Sequence, residues 1–153
     1  MEDPKQLLQV LTDLLNEDVD WAEERRKCSP QQVWEQVKKR LLSDRAKSDA
    51  LTPPKQNPVR VDERQDGKDE TVVFSKGDLG VLATTSVNFK NGQIEFSPFK
   101  IREDPYAPAR FQHFVPVLNE AGQCRLRGED GAEYKVWEFS RMVLQQLLDW
   151  NPV

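Results

Sequence analysis

Val81-Leu82-Ala83-Thr84-Thr85-Ser86-Val87-Asn88-Phe89-Lys90-Asn91-Gly92-Gln93-Ile94-Glu95-Phe96-Ser97-Pro98-Phe99 is the stretch that decides the fold. Val81, Ala83, Thr85, Val87 and Phe89 alternate with Leu82, Thr84, Ser86 and Asn88, which is the two-residue period of a β-strand. Asn91-Gly92 then reverses the chain, because a two-residue type I′ turn needs positive φ at both positions and these residues tolerate it best. With that pair at the tip, Lys90 faces Gln93, Phe89 faces Ile94 and Val87 faces Phe96. The large apolar residues thus share one face of an antiparallel hairpin.

Strand signals continue on both sides. Thr71-Val72-Val73-Phe74 predicts a strand, and Ser75-Lys76-Gly77-Asp78 a turn, into the hairpin. Beyond Phe99, the run from Lys100 to Arg110 holds two prolines, a tyrosine and three cations. It is the candidate recognition loop, with Lys100, Arg102, Tyr106 and Arg110 as its contact residues. A three-stranded meander is expected next. Asn119 to Gly122 as a four-residue turn sets Val117 opposite Cys124 and Val115 opposite Leu126. A three-residue loop Glu129-Asp130-Gly131, with Gly131 left-handed, pairs Cys124 with Val136, Leu126 with Tyr134 and Arg127 with Glu133. Glu138 to Trp150 closes the chain as a helix whose stripe of Phe139, Met142, Val143, Leu147 and Trp150 covers the sheet.

Helices precede the strands. Asp3-Pro4 caps a first helix carrying Leu7, Leu8, Leu11, Leu14 and Leu15, with a short connecting turn around Asp18 to Trp21. Ser29-Pro30 opens a second, striped with Val33, Trp34, Val37, Leu41 and Leu42. From Thr52 to Asp69 prolines and dense charge replace the periodicity, which reads as an extended polar linker. The expectation is an α+β chain: an N-terminal helical hairpin over residues 1–50, a linker over 51–69, and an antiparallel sheet of five to six short strands with a C-terminal helix over 70–153.

The bulk properties exclude more than they assign. The 153 residues are 37% hydrophobic and 31% charged, with a net charge of −4. That balance speaks against a general polyanion binder. No apolar run reaches the length of a membrane span, and the acidic start, Met1-Glu2-Asp3-Pro4, is unlike a signal peptide. Two cysteines are too few for a disulfide framework or a structural zinc site, so a reducing, cytoplasmic setting is expected, with Cys124 a small core residue.

Chemistry is sparse. His113 is the only histidine, and the meander register places it roughly 13 Å along the strand from Cys124, too far for a Cys–His dyad. Asp62, Glu63, Asp66, Asp69 and Glu70 do not follow the spacing of a calcium loop, and Ser75 to Gly80 lacks a P-loop ending. No cofactor or metal is therefore expected. The reading is a non-enzymatic protein–protein interaction protein: an adaptor, an inhibitor or a small subunit. Its partner, or a second copy of itself, would meet the helical stripe of Leu7, Leu11, Leu14, Trp21, Trp34, Val37 and Leu41. Two alternatives stand beside it. One is a nucleic-acid accessory protein using Lys38-Lys39-Arg40 and the 100–110 loop; the other is a hydrolase built on carboxylates that no motif marks.

Overall fold

The structure, a computed structural model, describes residues 4–51, 58–77, 81–101 and 111–150, and for residues 11–20 the backbone alone. Three helices and seven strands follow one another: α1 (Pro4–Lys27), α2 (Pro30–Leu51), β1 (Arg60–Asp66), β2 (Asp69–Gly77), β3 (Leu82–Lys90), β4 (Gln93–Ile101), β5 (Gln112–Leu118), β6 (Cys124–Gly128), β7 (Glu133–Tyr134) and α3 (Val136–Asp149). All strands join one antiparallel sheet in sequence order, β1 to β7. The chain is α+β, with its helices before and after the sheet.

The β3–β4 hairpin forms in the expected register, with Lys90 opposite Gln93, Phe89 opposite Ile94 and Val87 opposite Phe96. Asn91 and Gly92 adopt φ of 53° and 75°, as the turn demands. Farther along, the register shifts between Thr84 and Ser86, where Pro98 has no N–H to give the ladder. There the Thr85 hydroxyl donates to the Ser97 carbonyl at 3.1 Å, replacing a strand bond within the bulge.

One face of the sheet is covered by helices. Trp34, Val37 and Leu41 of α2 and Phe139, Val143, Leu144 and Leu147 of α3 are buried with Val72, Phe74, Val87, Phe89, Ile94, Phe96, Phe114 and Leu126. Aromatic contacts stitch the layers: Trp34 stacks on Phe89 at 5.5 Å between ring centroids. Phe139 meets Phe114 edge-on at 5.0 Å and Phe96 at 6.3 Å. Such pairs add to the burial of area that drives the packing. Lys76 is also buried, its ammonium donating to the Leu148 carbonyl at 2.9 Å in the last turn of α3. Burial pushes this lysine's pKa down, partly offset by Asp149 and Asp49.

Four expectations need correction. First, Arg60 to Asp66 is a strand, not linker. As an edge strand it buries almost nothing, so no apolar alternation marked it; Thr52 to Asn57 lie outside the described residues. With the two-residue β7 it raises the strands among the described residues to seven. Second, α1 is continuous through Asp18 to Trp21, a run with no glycine or proline to stop it.

Third, the β5–β6 register differs by one residue. Leu118 faces Cys124, Val117 faces Arg125 and Pro116 faces Leu126, because the Gln123 N–H bonds to the Asn119 side chain and lengthens the connection. Across the next turn Leu126 faces Tyr134 and Arg127 faces Glu133 as expected, with Gly131 at φ 83°. Val136, expected opposite Cys124, instead starts α3. Fourth, Cys28 and Cys124 form a disulfide, with Cα atoms 5.5 Å apart across 96 residues of sequence. A cysteine count could not show that two distant thiols meet.

Candidate interaction surface

The residues singled out from the sequence divide sharply. Trp34, Val37 and Leu41 have no exposed surface at all and belong to the intramolecular core, so they are not open to a partner. Leu7 and Trp21 are 52% and 50% exposed. The side chains of Leu11 and Leu14 lie outside the described set, as do Arg102, Tyr106 and Arg110 entirely. Lys100 is exposed on β4, opposite Thr84.

Among the described members of that stripe, the exposed ones therefore belong to helix α1. Leu7, Val10 and Trp21 recur at helical spacing and lie on one side of it. Val10, at 55% exposed, escapes a reading that follows leucines alone, although it stands three residues after Leu7. The described anchorage of α1 is at its C-terminal end. Cys28 is bridged to β6, Trp21 lies against Gly122 of the β5–β6 turn, and the Arg25 guanidinium sits 5.5 Å over the indole. Leu7 lies 21 residues before the bridge, about 31 Å along a helix axis. Arg25, Arg26 and Lys27 occupy the last turn, where cations complement the helix dipole.

The other candidate regions are already engaged. In the basic triplet, Lys38 donates to Glu70 at 3.0 Å and Arg40 bonds Asp44 at 3.0 Å. Asp44 also accepts from the Ser140 hydroxyl at 2.7 Å, tying α2 to α3. The pairing with Glu70, against some burial, raises the pKa of Lys38. Two of the three cations thus have carboxylate partners, which leaves a weak platform for phosphates.

A depression of about 460 Å³ at the β1–β2 end is lined by Arg64, Asp66, Asp69, Glu70 and Lys90, among others. Its most enclosed carboxylate, Glu70, accepts hydrogen bonds from Trp34 Nε1 at 2.7 Å and from Lys38. Burial pushes this carboxyl up, but those bonds and the Lys38 charge outweigh it and hold the pKa below its ordinary value. A carboxylate kept ionised and doubly bonded is a structural clamp, unsuited to general acid work.

On the far face of the sheet, Asn88, Glu95 and His113 stand in register across β3, β4 and β5. His113 Nδ1 is 3.7 Å from Glu95, and neither that nitrogen nor the Asn88 oxygen has a hydrogen-bond partner. His113 lies on β5, an internal strand of the sheet. Cys124 is consumed in the disulfide and supplies no thiol to a dyad with it. Among the described residues no group of three or more histidine, cysteine, aspartate or glutamate side chains could hold a metal ion. No described helix is long and apolar enough to cross a membrane. No protein-family model, curated protein or solved structure matches the chain.

Proposed function

We propose that this chain is a protein-binding module that presents α1 to an apolar groove on another protein. One observation carries the reading: α2 and α3 bury their apolar stripes on the sheet, whereas Leu7, Val10 and Trp21 of α1 stay half exposed or more. Each leucine or valine left in water forgoes roughly 1.5–3 kcal/mol of burial, so an exposed stripe on a surface helix favours a helix-in-groove partner. The Cys28–Cys124 bridge supports action in an oxidising compartment in place of the cytoplasm.

The test places a photo-reactive residue at position 7 of the oxidised full chain and cross-links it in an extract of the host's own oxidising compartment. The captured protein is then purified and its affinity remeasured. Leu7→Glu with Val10→Glu weakens that purified complex at least tenfold while the melting temperature of the chain stays unchanged. An affinity that survives both substitutions overturns the reading.

A further inference from the structure

Strand β1 forms one edge of the sheet. It pairs with β2 on one side, and no described strand pairs with it on the other. The N–H and C=O groups along such an edge are a template for another strand. Its side chains follow a particular order. Arg60, Asp62, Arg64 and Asp66 share the far face and alternate in sign, while Val61, Glu63 and Gln65 point to the helix face. Asp62 and Arg64 are already 2.9 Å apart along the strand, so the alternation is expressed as charge contact within one molecule.

We propose that β1 pairs with β1 of a second copy of this chain, antiparallel about a two-fold axis at Glu63, to make one sheet running through both molecules. In that register Arg60 stands opposite Asp66 of the second copy and Asp62 opposite Arg64 of the second copy, and the two-fold axis repeats both pairs. Directly opposed side chains on one face are close enough to interact, and unlike charges there are stabilising.

Other registers lose this match. Sliding by two residues one way sets Asp62 against itself and Arg60 against Arg64. Sliding the other way sets Arg64 against itself and Asp62 against Asp66. A one-residue slide turns the far face of one copy toward the helix face of the other. Parallel pairing in register opposes every charge to itself.

At the axis the two Glu63 carboxylates meet on the helix face. They are the one like-charge pair of this register, on the face where each molecule also carries the Lys38 ammonium, 3.0 Å from Glu70. Val61 meets Gln65, which adds no charge. The same pattern discourages a foreign apolar strand, so the edge is selective for its own sequence. The surface is separate from α1 and stands whether or not α1 binds a partner.

Sedimentation equilibrium of the oxidised full chain gives the answer. The mass rises with concentration from 17.7 kDa toward twice that value, and 1 M salt, which shortens the screening length to about 3 Å, returns it to monomer. Arg64→Asp and Asp62→Arg, both at exposed positions, each weaken self-association at least tenfold with an unchanged circular dichroism spectrum. Mixing the two variants restores unlike pairs, and native mass spectrometry finds the one-to-one heterodimer in excess over either homodimer. A wild-type chain that is monomeric at millimolar concentration overturns the proposal. So does a dimer whose dissociation constant the two variants leave unmoved, or a mixture with no preference for the heterodimer.

Discussion

Trp34 reaches across from α2 and donates its indole N–H to Glu70 of β2 at 2.7 Å while its ring stacks on Phe89, the strand partner of Glu70. One side chain thus fixes the second helix to the sheet through a polar clamp and an apolar contact together. The clamp makes α2 part of the sheet's own core, and it carries a pH signature.

Because the folded state holds Glu70 below its ordinary pKa of 4.5, the unfolded chain takes up this proton first. The clamp's contribution is full above about pH 4.5 and is lost as the pH falls through the folded value. Glu70→Gln lowers stability at neutral pH by roughly 1.5–3 kcal/mol, the range for hydrogen bonds to a charged group. It also flattens the acid limb of stability against pH. Urea midpoints between pH 3 and pH 7 measure both effects, and a glutamine variant with the wild-type acid slope would sink the assignment.

Reducing Cys28–Cys124, or replacing both by serine, costs about 2–4 kcal/mol, the typical range for a disulfide. Amide exchange in α1 accelerates first, since its described anchorage is at the bridge and at Trp21 beside Gly122. Equal acceleration in β2 and β3 would show instead that the bridge supports the whole sheet.

Phe139 lies fully buried between Phe96 and Phe114. Phe139→Ala opens a cavity where α3 meets β4 and β5 and costs about 3–5 kcal/mol. Calorimetry should show one transition at lower temperature, because both helices on the sheet share that core. Two separated transitions would mean that α2 and the sheet unfold independently.

Gly77 sits at φ 117°, and a Cβ there would stand 2.2 Å from the Val81 carbonyl oxygen. Gly77→Ala therefore has to move backbone at the β2–β3 connection, and it lowers stability by roughly 1–3 kcal/mol, as strained positions do. Gly131, with nothing near its Cβ position, serves as the comparison: alanine there pays only the left-handed conformation. Similar losses at both sites would show that the close approach at Gly77 is relieved without cost.

What the sequence disclosed was the part written in large apolar residues. The β3–β4 hairpin and the Leu126–Tyr134 pairing were readable because a one-residue slip would have turned Phe89, Ile94 or Leu126 to the wrong face. The β5–β6 register hung on one side-chain bond, Asn119 to Gln123, which periodicity does not register. Strand β1 was hidden because an edge strand needs charges more than apolar residues. Trp34 and Trp21 look alike in sequence, and only the position of each helix against the sheet separates the buried one from the exposed one. The disulfide required the fold first.

Sequential strand order and a bridge spanning 96 residues also set a timetable for synthesis. At about 5–20 residues per second, Cys28 leaves the ribosome roughly 5–20 seconds before Cys124. During that interval α2 gains its sheet only as β1 to β5 add on neighbour by neighbour. The amino-terminal thiol waits through all of this for its mate. A nascent chain interrupted before β6 therefore carries an uncommitted cysteine beside a helix that already has strands to cover, and quality-control factors that sense free thiols would meet this protein at that stage.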